Sequence, residues 1–274
     1  MSARAASRTA LATAYLRAAH QLLEAPPRIL EDPVAVRLLG AGAEKRIRDD
    51  TDAFQSPTRR ALRAYVVLRS RFAEDRLAGA VARGVEQYIL LGAGFDTFAL
   101  RQPEWARALR IVEVDHAGTQ SEKRNRIAAA GLVVPANVSF ASVDFARESL
   151  LEGLARHGVR LDEPTFFSWL GVTMYLAESA VDATLAAVAA FPPGSEIVLT
   201  FASPEPSPLA AHAASFGEPW LSHFEPAAIE AKLRRAGFAG VEFLSPEGAE
   251  VRYFRDRPHD LPAPKRSGIV AAVR

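Results

Sequence analysis

The 274-residue chain sets 33 Lys and Arg against 32 Asp and Glu, a formal net charge of +1 at neutral pH, with 49% apolar and 24% charged residues. The even charge, with no long run of one sign, excludes the electrostatic footprint of a nucleic-acid binder, and the composition excludes a chiefly disordered or collagen-like chain. Cysteine is absent, which removes disulfides, thiol catalysis and thiolate metal sites together and agrees with a reducing cytoplasm.

The length is that of one α/β domain with an extension. The opening MSARAASRTALATAYLRAAHQ carries Arg4, Arg8 and Arg17 among its apolar positions, so it reads as neither signal peptide nor membrane anchor. Three helical patterns follow. Leu11, Tyr15, Leu16 and Leu22 fall near helical spacing between Thr9 and Leu23, ahead of Pro26-Pro27. PVAVRLLG after Asp32 is a short helix closed by Gly40. A longer one runs from about Pro57 through Ala82, with Leu62, Val66, Phe72, Leu77 and Val81 on one face and Arg59, Arg63, Arg69, Arg71 and Arg76 elsewhere. Residues 1–84 therefore form a helical extension without strands.

After Gly84 the pattern changes. VEQYILLGAG, RIVEVD, VSFASVDF, TFFSWLGVTMYL and SEIVLTFA are short runs rich in Val, Ile and Phe, separated by helical segments. That alternation predicts a doubly wound α/β domain over 85–274, a mostly parallel sheet with helices on both faces. The proline-rich stretch 203–226, with Phe216, Trp220 and Phe224, reads as a loop or cap over an apolar acceptor. A helix from Ala227 to Ala236, stopped by Gly237, precedes the last two strand runs, VEFL and SGIVAAVR.

The chemistry gathers at strand ends. Gly92 and Gly94 follow the first strand, where an open α/β sheet places its ligand, although such a pair also serves a plain tight turn. The G-x-G-x-x-G pattern breaks at Thr97, and Asp96 would add negative charge beside a diphosphate, so an adenosine ligand with a cationic or zwitterionic end suits the turn better. Asp115 ends the second strand, 21 residues past Gly94, and suits both hydroxyls of a ribose, with Glu113 as its rival. Asp144 and Phe145 end the third and offer an acceptor and an apolar wall to an adenine, or Asp144 caps the next helix. No His pair has metal-ligand spacing, so no metal is expected.

Together SRTALATAYLRA, ILEDPVA, LRSRFAEDRL, LLGAGFDTFALR, VEVDH, VDF and GVTMYL resemble the leucine carboxyl methyltransferase family, across nearly the whole chain. The resemblance implies a seven-stranded class I methyltransferase fold, S-adenosyl-L-methionine as cofactor and methylation of a carboxylate or hydroxyl, with bacterial members acting on small molecules, some in secondary metabolism. It implies that the arginine of RSRF grips the cofactor carboxylate, Arg71 first and Arg69 second. Gly92, Ala93 and Gly94 would meet the methionine portion, Asp115 the ribose, and Asp144 with Phe145 the adenine. Tyr175 in VTMYL would orient the acceptor. Helices of 1–84 would help to form both sites. One departure stands out: Leu170 replaces the glutamate of the family's WEGVTMYL motif.

The expected partner is a small-molecule acceptor, with neither nucleic acid nor membrane, in a cytoplasmic monomer or homodimer. Two other readings remain open on residues alone: a nicotinamide-dependent oxidoreductase, and a binder of S-adenosyl-L-methionine that no longer transfers methyl.

Overall fold

All seven apolar runs after Gly84 become strands: β1 (Gln87–Leu91), β2 (Arg110–Asp115), β3 (Val138–Ser142), β4 (Thr165–Trp169), β5 (Glu196–Thr200), β6 (Gly240–Phe243) and β7 (Ile269–Val273). The computed structural model describes residues 6–145, 148–205, 207–258, 261–265 and 268–274. One sheet holds the strands in the order β3-β2-β1-β4-β5-β7-β6. The first five pair in parallel, and β7 runs antiparallel between β5 and β6. Strand order reverses between β1 and β4, so the loops leaving their carboxyl ends diverge and open a crevice there.

Strands β1, β4 and β5 are buried at every position because both faces of the sheet are covered, which is why they read as unbroken apolar runs rather than alternating ones. One face, with Tyr88, Leu90 and Phe166, packs on Leu68, Phe72 and Leu77 of α5 (Pro57–Ala82). The other, with Ile89, Leu91, Phe167 and Trp169, packs on α7 (Leu150–Arg156), α8 (Glu178–Ala189) and α10 (Pro226–Ala236).

Among the described residues no strand precedes Gln87, and α1 (Arg8–Leu23), α2 (Ala35–Leu39), α3 (Ala43–Asp49) and α4 (Thr51–Phe54) come before α5. The short α3 and α4 are additions to the sequence reading; with four to seven residues they span too few turns to show a period. Leu16, Leu38, Ile47 and Phe54 form their core with Val66 of α5. Helix α5 thus belongs to both layers. Arg76 and Arg83 fix it to the sheet by reaching the buried Glu196 carboxylate at 2.5 and 2.6 Å.

Arg63 is no surface arginine. It is fully buried, donating to Glu24 through Nε at 3.0 Å and Nη2 at 2.6 Å and to the carbonyl of Phe54 at 2.8 Å, while His20 Nδ1 lies 2.9 Å from the same carboxylate.

Among the described residues between β5 and α10, the cap is irregular apart from α9 (Pro208–Ser215), capped by Ser207. Backbone bonds from Leu221 to Met174 and from Phe224 to Ala202 tie it to the exits of β4 and β5. No helix among the described residues is long and apolar enough to cross a membrane.

Candidate active site

The glycine turn is built for close approach. Gly92 has φ +67° and Gly94 φ +52°, both in the region that favours glycine. A Cβ on Gly92 would collide with a Val172 methyl, so the exit of β4 presses against the exit of β1 here. The N–H groups of Gly92 and Ala93 donate to the carbonyl of Val114, which ties the turn to β2.

That tie sets Asp115. Gly94 N–H donates to one carboxylate oxygen at 2.5 Å and His116 N–H to the other at 2.6 Å, leaving lone pairs on both for a ligand. Burial pushes its pKa up, and the two main-chain donors only partly offset this. Glu113, the rival, is excluded from the site: it is buried and paired with Lys123 at 2.5 Å. His116 caps α6 (Ala117–Ala129), its Nδ1 accepting from Gly118 N–H at 3.2 Å.

Asp144 and Phe145 line the same cavity beyond β3. The described helix that follows, α7, takes Ser149 as its N-cap. The Phe145 ring sits 6.5 Å from that of Trp169.

The structure places the second-choice arginine on the cavity and the first choice outside it. Arg71, the first choice, lies outside the cavity, half exposed, donating to Asp75 at 2.8 Å and to the Ile29 carbonyl at 3.3 Å. Arg69 faces the cavity alongside Leu62, Tyr65 and Val66. The cause is helical phase: two residues along α5 is a rotation of about 200°, which puts the pair on opposite faces. Arg69 has no carboxylate or hydrogen-bond partner among the described residues, and its Nε is buried without an acceptor. Burial pulls its pKa down, the nearby Arg17 adds to that, and Tyr65 opposes it.

Arg17, which the sequence offered only as an interruption of an apolar helix, is buried and bonds Asp96 at 2.9 Å, Ser70 at 2.8 Å and Thr97 at 3.1 Å. Burial pushes the Asp96 carboxyl up, but Arg17, Lys123, Arg101 and the Phe98 N–H outweigh it and hold the pKa at about 2. An ionised carboxylate therefore stands at the turn. Thr97 is buried too, its hydroxyl donating to Asp32 while accepting from Arg17 and Arg101.

Turn, strand ends, α1, α5 and cap enclose one cavity of about 1260 Å³. Gly92, Ala93, Gly94, Asp115, Leu170 and Tyr175 all line it. Residues the sequence did not single out join them: Arg17, Tyr65, Gly171 and Glu218. Leu170 packs against the apolar face shared with α5, so no carboxylate from β4 answers Arg69. Among the described residues no group of three His, Asp or Glu could hold a metal ion.

Residues 10–189 match the family model for leucine carboxyl methyltransferase. A relative from Bacillus subtilis (strain 168), provisionally named S-adenosyl-L-methionine-dependent methyltransferase YktD, is 32% identical over 75% of this chain and 71% of its own length. A Mycobacterium marinum relative with the same provisional description is 31% identical over 77% of this chain and 72% of its own. Among solved structures, a provisionally named methyltransferase from Thermobifida fusca YX superimposes with a TM-score of 0.57 at 20% identity, covering 87% of this chain and 91% of that one, which shows the shared fold. The chain belongs to the leucine carboxyl methyltransferase family.

Proposed function

We propose that the protein is an S-adenosyl-L-methionine-dependent O-methyltransferase that esterifies a carboxylate of an apolar small molecule. The observation that carries the reading is Arg69, a cation on the cavity wall with no anionic partner, in the same cavity as the Asp115 carboxylate. A half-buried cation is costly without a counter-charge, and the carboxylate of a methionine moiety provides one. The nicotinamide alternative has less support, because Asp96 stays ionised at the turn and Thr97 is committed to buried bonds.

S-adenosyl-L-methionine, when bound, would supply an electrophilic methyl carbon on a sulfonium, with the thioether as the leaving group that keeps the electron pair and an acceptor oxygen as the nucleophile. The chain's residues bind, orient and exclude water. Arg69 grips the amino-acid carboxylate. Asp115, aimed by Gly94 and His116, accepts from the ribose hydroxyls. Phe145 walls the adenine and Asp144 meets its amino group. Tyr175, at the exit of β4, orients the acceptor. A carboxylic acid with pKa near 4 is already ionised at neutral pH, so the residues need supply no general base. Helix α1 and the cap close the cavity and keep water from the reacting centre.

Calorimetry with S-adenosyl-L-methionine, followed by turnover on matched panels of apolar acids and phenols, tests this. Binding with S-adenosylhomocysteine released only with the acids is the expected result. Turnover confined to phenols overturns the acceptor assignment, and binding without turnover on either panel favours a non-transferring binder.

A further inference from the structure

We propose that Gly171 is the positioning residue of Arg69: its missing side chain sets the orientation in which the guanidinium meets an anionic ligand. The inference rests on the reading of Arg69 as the ligand of the cofactor carboxylate.

An arginine in a binding site is usually aimed by a carboxylate. Arg17 shows the pattern, held by Asp96, Ser70 and Thr97. Arg69 has no such partner, so shape must aim it. Gly171 follows Leu170 at the exit of β4 with φ +76°. A Cβ there would lie 2.5 Å from Nη1, 2.9 Å from Nη2 and 3.0 Å from Cζ of Arg69. The whole planar head of the guanidinium therefore rests on the bare Cα of this glycine. Gly171 is in turn fixed, its N–H donating to the Thr200 hydroxyl at 2.7 Å. The Tyr65 ring centre is 5.9 Å from Arg69 Cζ. A threonine of β5 thus anchors the glycine, and the Tyr65 ring also lies near the guanidinium.

The far end of an arginine is flexible, so a methyl at Gly171 displaces the guanidinium, while the backbone strain of a side chain at φ +76° is independent of Arg69 and falls equally on both backgrounds. A bidentate bond depends on the plane of the fork, and displacement costs affinity. Lysine, a point charge on a flexible stem, is less sensitive to its seat.

The test is a double-mutant cycle on S-adenosylhomocysteine affinity, with thermal melting of each variant. Gly171→Ala is expected to weaken binding about tenfold to a hundredfold beside Arg69. In the Arg69→Ala background the same change is expected to cost no more than about twofold, the scatter of independent sites. Arg69→Lys/Gly171→Ala is expected to bind more tightly than Gly171→Ala alone. Equal losses in both backgrounds overturn the inference, because a glycine needed only for its turn loses as much without the arginine. If Gly171→Ala does not fold, recovery of a cooperative melt on adding Arg69→Ala supports the seat, and no recovery overturns it. An Arg69→Ala variant that binds like the parent removes the cofactor reading instead, and the coupling between the two melting shifts then decides the seat separately.

Discussion

Glu218 accepts a hydrogen bond from the backbone N–H of Arg8 at 2.7 Å, closing the cap onto the first turn of α1 across 210 residues of chain. Thr9 donates to the same carboxylate through its N–H and its hydroxyl, and Ser7 through its hydroxyl at 2.9 Å. The contact satisfies orphan N–H groups at a helix start and places negative charge where the helix dipole favours it. Arg8 adds a cation 4.4 Å above the Phe216 ring. Both Ser7 and Glu218 line the cavity, so this clasp forms part of its wall. Glu218→Gln is expected to cost about 1 kcal/mol, to lower the melting temperature by about 2 to 4 °C, and to speed release of S-adenosylhomocysteine. Unchanged melting and unchanged release in stopped flow would show that the clasp carries no load.

The same carboxylate makes the clasp sensitive to acid. Partial burial pushes the Glu218 pKa up, but the bonds from Thr9, Arg8 and Ser7 outweigh this and leave it below the usual value. A folded pKa below the unfolded one means that the stabilisation is complete above the unfolded value, about 4.3, and is lost as pH falls through the lower folded value. The parent should therefore lose stability more steeply than Glu218→Gln between about pH 5 and pH 3. Urea midpoints of the two proteins across that range check it; parallel curves refute the assignment.

Arg69 and Arg71 separate the binding role from mere membership of the RSRF segment. Arg69→Ala is expected to weaken S-adenosyl-L-methionine binding by about 1.5 to 3 kcal/mol, the range for a lost charge-assisted bond. Arg71→Ala removes a half-exposed pair with Asp75 and should change affinity by less than about 0.5 kcal/mol. Calorimetry on both variants decides it, and a larger loss from Arg71 would return that residue to the site.

What the sequence revealed depended on how local each cause was. The strands were legible because burial on both faces leaves continuous apolar runs. Gly92, Gly94 and Asp115 were legible because strand-end geometry fixes the distance from turn to carboxylate. The choice between Arg69 and Arg71 was not, since it depends on the rotational phase of α5, which tertiary packing sets. Arg17 is explained by partners far along the chain, Asp96 79 residues away among them, and Glu218 by a helix start at the other end of the chain. Arg63 was placed only off the apolar face of the long helix; its burial beside Glu24, 39 residues away, has no local signal.

Breaking that last pair should be the most damaging of these changes. Arg63→Met keeps much of the volume but leaves the Glu24 carboxylate buried beside His20 without its cation. Removing one partner of a buried pair costs about 3 to 5 kcal/mol. A fall of that size in unfolding free energy, measured in urea, is the expected result. A fall below about 1 kcal/mol would mean that Glu24 finds other partners or water.

Thr97→Gly tests why the turn departs from the dinucleotide pattern. At the third glycine position, the fold has placed a side chain that donates to Asp32 and accepts from Arg17 and Arg101, joining α1 to the start of the sheet. Glycine would leave the buried Asp32 carboxylate and two guanidinium groups each short of one bond and would loosen the backbone. The combined cost is about 2 to 4 kcal/mol. Asp96 would still stand ionised beside the turn, so restoring the glycine should not create a diphosphate site. Thermal melting should register the loss, and NADH difference absorbance should stay flat. A variant as stable as the parent would show that the Thr97 bonds add no net stability, and one that gains NADH binding would show that Thr97 alone kept the pattern from being a dinucleotide site.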